Sequence, residues 1–270
     1  MLLSRNSKDF SPEYFKMLAQ AGWQAIDINE TEDYALFCQP ADVQLNFLKA
    51  EIDNIIGAGL IANQCHAPMI GSYAGISDEE LDSRIYCIEQ AVLCASKLKI
   101  PYTVVHPLVY SWSLPDPNKD KTWEKNIKYL SRVCAKAENT VICLENMPRE
   151  FGFIKTAKLQ NQLINDVGNN LCACFDTGHA ASSEQTASSF FDTLGDKIKV
   201  LHVHDSLPTL DKHYLPYLGS FDWEDFKQAL KNSSYKGTLN SESCFSAKLP
   251  KENLKYWESV EVNVFKTLIQ

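Results

Sequence analysis

The sequence predicts an α/β fold, a (β/α)8 TIM barrel that occupies residues 1–270 as one domain. Two observations carry this expectation. Short apolar, β-branched runs alternate with amphipathic stretches along the whole chain, which is the pattern of parallel βαβ units. The length of 270 residues is also close to the roughly 250 residues typical of an eightfold barrel. An open, doubly wound sheet is the alternative, but the sequence has no G-x-G-x-x-G turn to support it.

Met1-Leu2-Leu3 supplies a short first strand, and further strand-like runs follow at 25–28, 61–66, 102–106, 141–145, 171–176, 198–204 and 237–242. Between them lie helical patterns at 11–21, 41–58, 77–98, 120–137, 155–166, 184–195, 222–232 and 250–268. Ser11-Pro12 reads as an N-cap followed by proline at the first helical position, and Ser77-Asp78-Glu79-Glu80 as a capping box. No linker or shift of composition marks a second domain.

The formal net charge is −8, and the only arginines are Arg5, Arg84, Arg132 and Arg149. Such a chain has few bidentate phosphate clamps and no basic stripe, so nucleic acid is not expected as a partner. A small neutral or metal-bridged substrate suits it better. The nine cysteines lack any C-x-x-C pair and mostly sit in apolar runs, as free thiols in a reducing compartment do. No signal pattern or membrane-length apolar run is visible, so the cytoplasm is the expected location. Whether the chain forms a homo-oligomer is left open.

Strand-like runs three to eight each end in, or carry near their ends, a side chain that can bind a metal: His66, His106, Glu145, Asp176, His202 and Glu242. In a barrel these positions converge at the C-terminal mouth. The two-residue period of a strand sets Val141, Cys143 and Glu145 on one face, as it does Cys172, Cys174 and Asp176, and Thr238, Asn240 and Glu242. The intervening Ile142, Leu144, Ala173, Phe175 and Leu239 are apolar and read as helix-facing. Any one such residue is most often an ordinary capping or hydrogen-bonded group. Six in succession point to a shared metal site, since buried carboxylates without a cation are costly.

The motifs Leu144-Glu145-Asn146, Phe175-Asp176-Thr177-Gly178-His179, His202-Val203-His204-Asp205 and Ser241-Glu242 resemble those of the xylose-isomerase-like barrel superfamily of sugar isomerases and epimerases. The resemblance implies that Glu145, Asp176, His202 and Glu242 hold one divalent metal (manganese, magnesium, cobalt or zinc). It also implies that Glu145 and Glu242 exchange a proton with a sugar or sugar-phosphate carbon. The residue types fit this chemistry, because removing a proton α to a carbonyl needs a base and stabilised enediolate oxygens.

Gln64-Cys65-His66-Ala67-Pro68, Val105-His106-Pro107 and Leu210-Asp211-Lys212-His213 are also similar to the apurinic endonuclease branch of the same superfamily. By that resemblance His66 and His106 join Glu145 at one metal, while His179, Asp211 and His213 form another, giving up to three ions. The glycine-rich stretches of that branch are missing after His106 and Glu145, and the acidic surface points away from DNA. The arginine that follows the histidine motif in the epimerases is also missing, replaced by Ser206-Leu207-Pro208-Thr209. A barrel that binds sugar or metal without turnover is the remaining alternative, and the Glu145/Glu242 pair argues against it.

His204 is expected beside the site rather than as a ligand, and Cys65, Cys244 and Trp23 as packing residues. Tyr110 and Trp112 are expected to wall the pocket, on a loop (110–119) that acts as a partial lid.

Overall fold

A computed structural model describes residues 1–29, 34–168 and 170–270. The strands are β1 (Leu2–Asn6), β2 (Ala25–Asn29), β3 (Ile61–His66), β4 (Tyr102–Val105), β5 (Val141–Glu145), β6 (Leu171–Asp176), β7 (Ile198–Val203), β8 (Asp205–Leu207), β9 (Leu210–Tyr214) and β10 (Thr238–Ser241). Eight of them close a barrel in the order β1-β10-β7-β6-β5-β4-β3-β2. Its pairings are all parallel. The (β/α)8 barrel expected from the alternation is therefore the fold.

The helices are α1 (Pro12–Ala21), α2 (Tyr34–Phe37), α3 (Ala41–Gly57), α4 (Asp78–Lys97), α5 (Lys119–Cys134), α6 (Ala157–Val167), α7 (Thr177–Ser182), α8 (Ala187–Leu194), α9 (Trp223–Asn232) and α10 (Leu254–Thr267). Ser11 Oγ accepts from Tyr14 N and Ser77 Oγ from Glu80 N, so both caps read from the sequence are formed. No described helix is long and apolar enough to cross a membrane.

Several elements depart from the sequence expectation, among them the four-residue α2, which no helical pattern marks. The helix read at 184–195 begins at Ala187, and α7 precedes it directly after β6. The Asp176 side chain starts α7 by accepting from His179 N at 2.6 Å; six residues are too few for a helical period to register. The antiparallel pair β8–β9 turns at Thr209, with φ 72°, and it too is shorter than any pattern can reveal. The first strand runs on to Asn6, past the apolar residues that mark it, and carries Arg5.

The alternation within strands holds. Val104, Cys143, Cys174 and Val200 form a small cluster of their own, flanked by Tyr102, Val141 and Cys172. It plugs the barrel beneath Glu145 and Asp176. Ile142, Leu144, Ala173, Phe175 and Leu239 lie in the much larger core between strands and helices. Trp23 is buried there as expected, its Nε1 donating to Glu258 Oε2 at 2.8 Å.

Candidate metal centre

Parallel register brings the strand ends level: Glu145 pairs with Cys174, Asp176 with His202, and Asn240 with His202. The outcome is that all six histidines of the sequence meet Glu145, Asp176, Asp211 and Glu242 through a set of contacts connected by His179, whose Nδ1 lies 3.6 Å from Glu145 and 3.7 Å from Asp176. Donor atoms of Glu145, Asp176, His202 and Glu242 all lie within 4.8 Å of one another. His202 Nδ1 is 3.0 Å from Glu145 Oε1 and 3.0 Å from Glu242 Oε1. Ligands about 2.1 Å from one ion and at right angles to each other stand roughly 3 Å apart, so this spacing fits a shared cation.

The two oxygens of Glu145 face different partners. Oε1 faces His202, while Oε2 lies 2.8 Å from His106 Nε2 and 3.2 Å from His66 Nε2. His66, His106 and Glu145 form a second candidate ligand group. A third cluster gathers on β9, where Asp211 Oδ2 is 3.1 Å from His213 Nε2 and 3.3 Å from His179 Nε2. The buried Asp211 Oδ1 has no hydrogen-bond partner.

Three of the histidines are oriented as metal ligands are. Nδ1 of His66 donates to Ala67 O at 2.8 Å, that of His179 to Asn146 O at 2.7 Å, and that of His213 to Glu242 O at 3.0 Å. Each carbonyl fixes the proton on Nδ1 and turns the Nε2 lone pair toward the carboxylates, the arrangement that tunes metal-binding imidazoles. With oxygen and nitrogen donors on all sides, the residues present fit a divalent cation. Cys174 lies beneath His202 as a thiol, because burial pushes its pKa well up.

Burial alone would push Glu145 up, but His202 and His106 outweigh it and hold the carboxyl well below the usual range. Asp176 is likewise lowered against its burial by His179 and His204, and Asp211 by His179 and His213. Burial would lower His202, yet the carboxylates of Glu242 and Glu145 hold it well above the imidazole range. In His213, Asp211 overcomes burial and raises the pKa to about 9. These are proton-sharing pairs of carboxylate and imidazole, and a divalent cation would compensate the same charges.

His204 is fully buried, with Nε2 3.0 Å from Asp176 Oδ2 and its ring stacked on His213 at 4.0 Å. Expected beside the donors, it also offers a donor atom to two candidate ligand groups, one with Asp176 and His179 and one with His213 and Glu242. The mouth above the donors is a cavity of about 630 Å³ walled also by Lys8, Phe10, Asn29, Phe47, Met69, Phe151 and Cys244. Cys65 is packed under Thr103 as expected, whereas Cys244 is not simply packing and opens onto the mouth. Tyr110 and Trp112 do not wall this mouth. They line an adjoining cavity of about 350 Å³, because Phe151 stands between it and the donor cluster.

Sequence reasoning missed Asp27, Gln64 and Asn146. Asp27 is fully buried in the middle of β2, accepts from Asn240 Nδ2 at 2.9 Å and lies 3.6 Å from His202 Nε2. Burial raises it to about 6 against the pull of His202. Gln64 Nε2 lies 3.1 Å from His202 Nε2. Asn146 exchanges two hydrogen bonds with the Asp176 backbone. The available signal was a carboxylate inside the apolar run Ala25-Ile26-Asp27-Ile28, and a glutamine two residues before His66 on the same face.

Known proteins agree with this fold. The chain is 27% identical over 154 residues to the fructoselysine 3-epimerase of Shigella flexneri, covering 56% of this chain and 55% of that protein. The chain's matches span between 22% and about half of the length of its curated relatives. The D-psicose 3-epimerase of Clostridium cellulolyticum H10 superposes with a TM-score of 0.77 at 16% identity, covering 100% of both chains. The IOLI protein, solved with a bound zinc atom, superposes at 0.70 and 16%, covering 99% of this chain and 96% of that one. At these identities the two structures speak for the fold alone. A family model described as a xylose isomerase-like TIM barrel matches residues 12–260, and the chain belongs to that family.

Proposed function

We propose that the protein is a divalent-metal-dependent isomerase or epimerase of a small sugar or sugar phosphate, with proton transfer between Glu145 and Glu242. The observation that carries this reading is the convergence of Glu145, Asp176, His202 and Glu242 at the floor of an open mouth. The fructoselysine 3-epimerase relative supports it. The donor set, oxygen and nitrogen without thiolate, suits manganese, magnesium, cobalt or zinc.

When bound there, such an ion supplies charge stabilisation for adjacent oxygens of an enediolate. Glu242, more open to the mouth than the buried Glu145, takes the proton from the carbon beside the carbonyl. Glu145, whose carboxylate His202 and His106 keep ionised, takes up a proton from the solvent in the mouth and delivers it to the opposite face. Asn146, Gln64 and the backbone carbonyls behind the histidines fix the ligand side chains. Turnover of a ketose in deuterated water tests this reading: deuterium enters the substrate carbon if the glutamates exchange a proton, and it stays out if hydride moves between carbons.

A second reading, a multi-metal phosphodiesterase, is favoured by the His66/His106/Glu145 and His179/Asp211/His213 groups. One divalent ion balances two of the four carboxylate charges of Glu145, Asp176, Asp211 and Glu242, so the donor set has room for more than one. Against it, Lys8 is the only cation other than histidine among the residues lining the mouth. Metal content of the purified protein separates the two: one ion per chain supports the isomerase reading, and three support the hydrolase.

A further inference from the structure

The cavity that holds Tyr110 and Trp112 opens beside the mouth and shares Phe151 with it. Its walls are fixed. Phe151 sits in a short turn pinned by Arg149 N donating to Ser182 Oγ at 3.2 Å and by an Arg149–Glu184 ion pair at 2.7 Å. Glu150 Oε1 accepts from Asp211 N at 3.3 Å, which ties the same turn to the histidine cluster.

The opposite wall is equally held. Tyr73 N and Ala74 N donate to Val109 O and Tyr110 O, and Ser111 Oγ accepts from Ser113 N and Leu114 N. Trp112 stacks on Phe151 with centroids 5.1 Å apart and planes 12° from parallel. Its indole also lies against Gly71, where a Cβ would meet the ring at 3.3 Å. Yet Trp112 remains 53% exposed. A large aromatic surface on a hydrogen-bonded loop is thus offered to solvent, beside the mouth, rimmed by Asp116, Lys119 and Glu150.

An aromatic platform ringed by acceptors and a few donors recognises a pyranose, whose CH face packs on the ring while its hydroxyls reach the rim. Two carboxylates against one lysine disfavour a phosphate or carboxylate in the same place. We propose that this cavity is a subsite for a second pyranose ring, so that the substrate is a ketose carrying a glycosyl unit rather than a free monosaccharide. The inference rests on the sugar reading above and names the substrate class of that site.

Calorimetric titration of the manganese-loaded protein with D-fructose and with palatinose (6-O-α-D-glucopyranosyl-D-fructose), alongside deuterium exchange of each sugar, tests it. Palatinose should bind about two- to tenfold tighter than fructose, the effect of one well-stacked ring. Trp112→Ala should abolish that advantage while leaving fructose affinity within about twofold, and Trp112→Phe should restore most of it. Trp112 is half exposed, so folding survives the change, as thermal melting would verify. Equal affinity for the two sugars, or equal weakening of both by Trp112→Ala, overturns the subsite and spares the sugar reading. Absence of binding and of exchange for both sugars overturns the sugar reading and the subsite with it.

Discussion

The imidazole of His204 rests so closely on the Cα of Gly178 that a methyl group at residue 178 would fall within the ring. Gly178 lies in α7 immediately after Asp176, the residue that His204 contacts at 3.0 Å. The missing side chain at 178 is what lets imidazole and carboxylate meet. Gly178→Ala should therefore displace His204 from Asp176 and lower both thermal stability and cobalt affinity, by about 1–3 kcal/mol for the overpacking alone. Gly57→Ala, at a helical glycine with open space where its Cβ would be, should be neutral or stabilising by about 0.5–1 kcal/mol. Equal melting temperatures for wild type and Gly178→Ala would contradict the packing argument.

The proton-transfer reading assigns matched losses to two carboxylates. Glu242→Gln and Glu145→Gln preserve size and an oxygen donor but remove the base, so each should slow solvent deuterium exchange by about 10²–10⁴-fold or more. Because the two act from opposite faces, each variant should be impaired with one epimer more than with the other. Proton NMR of the recovered sugar measures both effects.

Metal content distinguishes the donor groups. His202→Ala removes the imidazole that Glu145 and Glu242 both face, and should strip the ion from the central group. His66→Ala and His213→Ala should leave that ion in place under the isomerase reading. If either lowers the metal count by one from a starting value of two or three, the multinuclear reading is the right one. Elemental analysis after gel filtration gives the count.

Behind the mouth, Arg5 is fully buried and donates to Ser241 Oγ, Ser243 O, Ser246 Oγ, Glu258 and Glu261. Burial raises Glu261 to about 7 despite Arg5. A carboxyl whose folded pKa lies above its unfolded value binds a proton more readily in the fold, so its contribution is present at pH 4.5 and is lost as pH rises to 7. Wild type should thus lose stability across that window, by at most about 3 kcal/mol from this group. Glu261→Gln should flatten the dependence, as urea unfolding at pH 5, 6, 7 and 8 would report. A steeper slope in the variant would refute the assignment. Arg5→Met should be far more damaging, at about 3–5 kcal/mol, because it leaves two buried carboxylates without their cation.

The sequence by itself determined the barrel and six of its mouth residues. Strand periodicity and helix caps are local properties, and a strand end falls in the same place in every parallel unit, so His66, His106, Glu145, Asp176, His202 and Glu242 were legible from spacing. Resemblance added His179, Asp211 and His213, but nothing local shows how the last two reach the mouth. Only the tertiary structure decided that, through a hairpin of three- and five-residue strands too short to leave a pattern. It also decided that Phe151 separates Trp112 from the donors, and that Glu145 divides its two oxygens between two histidine groups. Asp27 and Arg5 were unreadable as site or ion-pair residues because side chains that bond to them, Asn240 and Glu261, lie more than 200 residues away in the chain. Barrel closure, which sets β1 beside β10, brings them together, and no local pattern encodes contacts of that range.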